Sequence, residues 1–154
     1  MQITSPAFEN RGRIPAIYTC DGERLRSPEL AVSDIPEATR SLALIMDDPD
    51  APKALRPSGL FVHWVLFNIP PETRTIPEGA TLGTPGVNTR GDASYTGPCP
   101  PSEYEPSTHR YFFRLYALDT MLDLAEGASR EEVEATMQGH VLANAELMGT
   151  YSRI

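Results

Sequence analysis

The chain has 154 residues, a formal net charge of -8, 40% hydrophobic and 22% charged residues, a balance typical of soluble globular proteins that favours neither disorder nor a membrane class. The acidic excess opposes nonspecific attraction to nucleic acid and to anionic bilayers, and no apolar run approaches the roughly 20 residues that span a membrane. One domain over residues 1–154 is expected, with roughly 70% of the unfolded surface buried. The 15 prolines, against about eight from average usage, favour short strands and stiff loops over a helical bundle. The N-terminus carries no basic run followed by an apolar stretch, so a cytoplasmic location is expected. Cys20 and Cys99 are too few and too far apart in sequence for a disulfide scaffold or a four-ligand zinc site, and two free thiols are expected.

In chain order, Ala16–Cys20 is a weak strand candidate closed by the Asp21-Gly22 turn, and Leu30–Val32 is another, closed by Asp34-Ile35-Pro36. Ser41–Met46 and Leu60–Ile69 carry strong strand signals. From Pro70 to Pro106 the chain reads mostly as loop, punctuated by Pro70-Pro71, Pro85-Gly86 and the cluster Gly97-Pro98-Cys99-Pro100-Pro101. Tyr111–Leu118 is the third strong strand, and its run opens at His109. A helix begins after Ser129, where Glu132 completes a capping box. Val133, Met137, His140, Val141, Asn144 and Met148 recur at helical spacing, so the helix is expected to run on to a cap at Gly149. His140 on that stripe reads as a structural histidine.

Alternation puts Leu42, Leu44, Met46 and Asp48 on one face of the first strong strand, with the carboxylate at its C-terminal mouth. The same parity puts Phe61, His63, Val65 and Phe67 on one face of the second. Antiparallel pairing would bring Asp48 and His63 to one edge. A third strand antiparallel to the first would open His109 and Tyr111 at that mouth, beside the Gly97–Pro101 loop and Asp50. Imidazole N–H groups and positive charge suit an anion, and Asp48 can fix a histidine tautomer or accept an amine proton, so the constellation suits a phosphate carrying an ammonium. Read singly, Asp48-Pro49-Asp50-Ala51-Pro52 is equally a rigid turn, His63 a core histidine, and Arg110 and Arg114 ordinary salt-bridged surface residues.

The order of these motifs resembles the phosphatidylethanolamine-binding protein family, in its bacterial and archaeal Raf-kinase-inhibitor-like branch. Asp48-Pro49-Asp50-Ala51-Pro52 resembles its first pocket motif and His63-Trp64-Val65-Leu66-Phe67-Asn68 its central strand. Gly97-Pro98-Cys99-Pro100-Pro101 followed by His109-Arg110-Tyr111 resembles the second motif. Cys20-Asp21-Gly22-Glu23, Ser27-Pro28-Glu29-Leu30 and Glu126-Gly127-Ala128-Ser129 extend the likeness over nearly the whole chain. The resemblance implies a mainly β protein, an antiparallel β-sandwich with a few peripheral helices, one of them near the C-terminus. It implies a small-anion pocket lined by Asp48, Asp50, His63, His109 and Tyr111 and walled by Gly97, Pro98 and Pro101, and cis peptide bonds at the motif prolines would fit it. The stretch Ser102–Thr108 is longer than the family's usual connection and bears on access to the pocket.

The leading reading is a non-catalytic binding or regulatory module for a small anionic or phosphorylated ligand, with no cofactor and no metal. Family likeness adds a kinase or protease as protein partner and a homodimer as the expected assembly. Two alternatives differ in class. A hydrolase would use a pocket histidine with Cys99 as the one candidate nucleophile, and a divalent-metal site would draw on Asp48, Asp50, His63 and His109.

Overall fold

A computed structural model describes residues 1–153. Its strands are β1 (Gln2–Thr4), β2 (Leu30–Ser33), β3 (Ser41–Asp48), β4 (Phe61–Ile69), β5 (Thr75–Ile76), β6 (Thr84–Pro85), β7 (His109–Leu118) and β8 (Val141–Tyr151), with helix α1 (Arg130–Met137) between the last two. They form a three-stranded sheet β1-β2-β5 and a five-stranded sheet β6-β4-β3-β7-β8, antiparallel at every strand pair. This is the antiparallel β architecture expected from the sequence.

The main core fills the space between the sheets, where Ile3, Leu30, Val32 and Ile76 meet Leu42, Leu44, Trp64, Leu66, Phe113 and Leu115. A smaller cluster lies on the opposite face of the large sheet, where Ala43, Ile45, Val65 and Phe67 pack with Val133 and Met137 of α1. Every residue of β3 is therefore buried, and its Leu42–Met46 stretch is a continuous apolar run because both faces are covered. Each large apolar side chain buried here contributes about 1.5–3 kcal/mol.

β4 departs from simple alternation. Its pairing with β3 shifts register between Met46 and Asp47 and again between Leu42 and Leu44, the signature of β-bulges, which reverse side-chain parity along a strand. Trp64 and Leu66 thus enter the main core while Val65 and Phe67 face α1. The expected shared face of His63, Val65 and Phe67 does not form.

α1 starts as expected: the Ser129 hydroxyl accepts from the Glu132 amide at 3.1 Å, and Glu132 accepts from the Ser129 amide at 3.4 Å. It stops at Met137, however, and Gly139 takes a φ of 84°. The expected continuation to Gly149 is instead β8, paired with β7 from His109↔Tyr151 to Leu118↔Val141. Long-range ladder pairing overrides the local helical spacing. His140 is exposed and bonds Asp119 at 2.8 Å. The weak strand Ala16–Cys20 is a 3-10 turn over Ala16–Tyr18.

The cysteines are another correction. Cys20 and Cys99 form a disulfide with Cα atoms 5.4 Å apart. Sequence spacing gave no sign of it because the pair joins two loops that only the folded sheets bring together. Among the described residues the cis peptide bond lies at Glu105–Pro106 rather than at the motif prolines.

Gly149 acts in packing rather than as a helix cap. A Cβ there would stand 2.5 Å from Ile14 Cγ1 and 2.8 Å from Phe8 Cε2, both side chains being buried in the core. Gly149→Ala is expected to lower unfolding free energy by about 1–3 kcal/mol through overpacking, and urea denaturation of the variant measures it; an unchanged midpoint would contradict this packing.

Candidate functional site

β3 ends at Asp48, β4 begins at Phe61 and β7 begins at His109. Because β3 pairs antiparallel with both neighbours, all three reach one end of the large sheet. There they line a cavity of about 540 Å³ whose wall includes Asp48, His63, Gly97, Pro101, His109 and Tyr111. Six of the eight residues singled out in the sequence thus converge. Asp50 and Pro98 do not line it.

Asp48 organises the floor. Its Oδ2 accepts from His109 Nδ1 at 2.7 Å, and its Oδ1 accepts from the Asp50 amide at 2.7 Å. Asp48 and His109 are 4% and 1% exposed, so each needs the other's hydrogen bond to be tolerated there. Burial pulls the His109 pKa down, but the hydrogen bond and charge of Asp48, joined by the charge of Asp50, outweigh it and the net shift is upward. With Nδ1–H given to Asp48, protonation would place a second N–H on Nε2. That atom is buried and has no hydrogen-bond partner.

His63 is the opposite case. Its Nδ1–H donates to the Thr96 carbonyl at 2.7 Å, which leaves the lone pair on Nε2. Burial holds its pKa down at about 4, so the ring is neutral near pH 7. Phe61 and Tyr111 flank it at 4.6 and 5.2 Å between ring centroids. The Tyr111 phenol is kept protonated, chiefly by burial and secondarily by the nearby charge of Asp48.

Asp50 instead faces outward, where its carboxylate takes three hydrogen bonds from Arg110, at 2.9 Å from the amide, 2.9 Å from Nε and 2.8 Å from Nη2. Those side-chain bonds hold its pKa below the ordinary carboxylate range. Arg114 is likewise salt-bridged, to Asp47 and Glu146, so both arginines fit the plain structural reading.

The opposite wall is the 95–101 segment. Thr96 donates its amide to the His63 carbonyl at 3.0 Å while accepting from the His63 ring. Pro98 contributes its carbonyl to the Cys20 amide at 3.1 Å, and the Tyr95 hydroxyl donates to the Tyr18 carbonyl at 2.8 Å. A side chain at Gly97 would collide with that same Tyr18 carbonyl. The disulfide adds a covalent tie, and Cys99 itself lines the cavity.

Sequence reasoning missed part of the rim: Pro52, Leu55, Arg56, Phe61 and Arg90 also line the cavity. Arg56 and Arg90 sit on loops whose course no periodicity specifies. The long stretch Ser102–Thr108 supplies none of the lining. Neither Cys99 nor Asp50 is free for the chemistry weighed in the two alternatives. Cys99 is bridged and cannot serve as a thiolate nucleophile. No group of three or more His, Cys, Asp or Glu among the described residues is arranged to hold a metal, since Asp50 turns to Arg110.

Two outcomes follow from these ties. Replacing both cysteines, Cys20→Ala with Cys99→Ala, should cost about 2–5 kcal/mol of stability by freeing a long loop in the unfolded chain, measured as a shift of the urea midpoint; no shift would mean that the bridge constrains nothing. His63 has a folded pKa of about 4 against 6.5 for the free residue, so between those values the unfolded chain binds more protons. Stability should fall by up to about 3 kcal/mol as pH drops through that window. His109 acts in the other sense, its contribution being full below 6.5 and lost as pH rises through its raised folded pKa. A pH series of denaturant unfolding should show a flatter curve between pH 6.5 and 4 in His63→Gln; an unchanged slope would assign the loss to other groups.

Comparison with known proteins agrees with this architecture. The family model described as phosphatidylethanolamine-binding protein matches residues 4–152. The chain is 50% identical over 160 residues to a UPF0098 protein of Methanothermobacter thermautotrophicus, covering 99% of each, and 46% identical over 154 residues to one of Chlamydia muridarum, again covering 99% of each. The crystal structure of CT736 from Chlamydia trachomatis, a phosphatidylethanolamine-binding protein homolog, superposes with a TM-score of 0.94 at 43% identity over 99% of this chain and 97% of that one. Escherichia coli YbcL, described as a new member of the mammalian family, gives 0.85 at 28% identity over 99% and 98%. The chain belongs to the phosphatidylethanolamine-binding protein family.

Proposed function

We propose that the protein is a non-catalytic binding module whose cavity holds a small phosphate-like anion against His109. The observation that carries this reading is the His109 ring on the lining of the cavity: one nitrogen is committed to Asp48, while the other is closed to solvent and meets no side-chain acceptor. A buried polar atom of that kind costs free energy unless a ligand or water satisfies it. An anion accepting from a protonated Nε2 gains a charge-assisted hydrogen bond, and the raised His109 pKa supports that donor. Neither pocket histidine is hydrogen-bonded to a hydroxyl or thiol, which supports binding over nucleophilic catalysis. With the cysteines bridged, their expected free state no longer supports a cytoplasmic location, because disulfides persist in oxidising surroundings.

The test is calorimetric titration of inorganic phosphate into wild type, His109→Ala and His63→Gln. Wild-type affinity is expected to fall as pH rises through the folded His109 pKa, by about tenfold per pH unit once the neutral ring predominates. His109→Ala should lose at least about tenfold at pH 6, the worth of one charge-assisted hydrogen bond. Absence of wild-type binding between pH 5 and 8 would sink the reading, and turnover of phenyl phosphate in the same solutions would replace it with a hydrolase.

A further inference from the structure

β8 is the outermost strand of the large sheet and has 11 residues. β7 pairs with one side of it along its length. The other side is covered only at the C-terminal end, by residues 10–14. There Arg11 donates its amide to the Met148 carbonyl at 2.6 Å, and the Asn10 side chain accepts from the Met148 amide at 3.0 Å. Thr150 donates to the Gly12 carbonyl at 2.8 Å and accepts from the Ile14 amide at 2.9 Å. Met148 and Thr150 therefore turn their backbone groups away from β7. Antiparallel ladders alternate in this sense, and the register runs unbroken from Tyr151 to Ala143, so Asn144 and Glu146 turn theirs the same way. Among the described residues no backbone group of another segment bonds them there.

An open edge is a hydrogen-bonding template for another strand, and folds blunt their edges with short strands, proline or charge. The other edges of this protein are blunted. β6, at the far side of the large sheet, has two residues and ends on Pro85, and the small sheet is bounded by three-residue β1 and two-residue β5. The uncovered stretch of β8, from Val141 to Glu146, has no proline or lysine, and Val141 and Leu142 are exposed. Its one charged side chain, Glu146, is paired with Arg114 at 2.6 Å. A second copy of a chain with net charge -8 can thus approach without meeting a free carboxylate on this strand.

We infer that this edge pairs with the same edge of a second copy, antiparallel about a two-fold axis at Asn144, so that the two large sheets join into one. A two-fold interface sets one residue opposite itself, and position and chemistry both select Asn144. It is the midpoint of Leu142–Glu146, the stretch between the register shift near Val141 and the cover at Met148. Its side-chain amide both donates and accepts, so two copies can satisfy each other, whereas Glu146 opposite Glu146 would repel. Its outward N–H and C=O would close two backbone hydrogen bonds across the axis. In this register Glu146 meets Leu142 of the partner subunit, and Asn10 and Arg11 end the pairing at Met148. A foreign strand would need no residue that complements itself at the centre, and that residue assigns the edge to a second copy.

Sedimentation equilibrium of the full chain from about 1 μM to about 1 mM tests this. The wild type should show a monomer–dimer equilibrium. Asn144→Pro should weaken it about tenfold or more, because proline at an outward-facing edge position leaves the ladder to β7 intact while removing the donor at the axis. Leu142→Lys should act alike by charging the edge, and it decides the matter if far-UV circular dichroism shows the proline variant unfolded. Ile17→Lys, at an exposed apolar residue elsewhere, should leave association unchanged. Mild oxidation should trap Asn144→Cys as a covalent dimer, since directly opposed residues of a hydrogen-bonded pair lie about 5.5 Å apart, within disulfide reach; Ile17→Cys should stay uncoupled. A wild type still monomeric at about 1 mM would overturn the inference. So would a dimer indifferent to Asn144→Pro and Leu142→Lys, or one weakened equally by Ile17→Lys.

Discussion

The last residue of β3 carries a carboxylate into a position covered on both sides of the sheet, and the Asp48–His109 hydrogen bond is what makes that burial tolerable. Either group alone would be a buried charge or an orphaned ring, costing several kcal/mol. Together they satisfy each other, and Asp48 Oδ1 also closes the turn into the following loop through the Asp50 amide. That turn presents Asp50 to Arg110, whose amide and guanidinium both bind it. The start of β7 is thus clamped to the end of β3 on both faces, through His109 inside and Arg110 outside. The Asp50 clamp braces the pocket without entering it.

The two histidines divide the chemistry of the cavity. Both give Nδ1–H to an oxygen, but His109 gives it to a carboxylate and His63 to a backbone carbonyl. Burial pulls both rings down, but the Asp48 carboxylate stabilises the imidazolium more than the Thr96 carbonyl does, so the pKa values move apart, upward for His109 and down to about 4 for His63. One cavity therefore contains a ring favoured as a cationic donor and a ring held as a neutral acceptor. A bound group with oxygens accepting on one side and a hydroxyl donating on the other would match both, which is the pattern of a singly protonated phosphate.

The framework was legible in the sequence wherever burial imposes a pattern. The runs around β3, β4 and β7 stood out because strands covered on both faces or packed on one face must be apolar, and Asp48, His63 and His109 were conspicuous as polar interruptions at their ends. β8 was not legible: Met137, Val141, Asn144 and Met148 satisfy a helical spacing as well as any strand, and only pairing with β7, a long-range term, decides between them. The parity of Val65 and Phe67 depended on a bulge, an extra residue without a sequence mark at this position. The Cys20–Cys99 bridge and the rim arginines lie on loops whose meeting is a consequence of the fold, so no local signal encodes them. Asp50 was a polar residue in the right motif whose side chain turns the other way.

Net charge and pocket charge act at different ranges. At -8 the molecule as a whole repels anions, yet that repulsion is screened beyond about 8–10 Å at ordinary salt. On the proposed reading, an anion that reaches the mouth would meet Arg56 and Arg90 inside that distance and then the buried His109 ring, where a hydrogen bond from a cation is stronger than in solvent. Lowering the salt would lengthen the reach of the overall repulsion and of the rim attraction together. Capture on that reading would be governed by a few groups at one end of the sheet rather than by the field of the whole protein. The floor, built from buried residues that the fold itself requires, leaves little freedom to vary. The rim residues Leu55, Arg56 and Arg90 carry no such structural duty, so substitutions there would reshape the cavity mouth while leaving the Asp48–His109 floor in place.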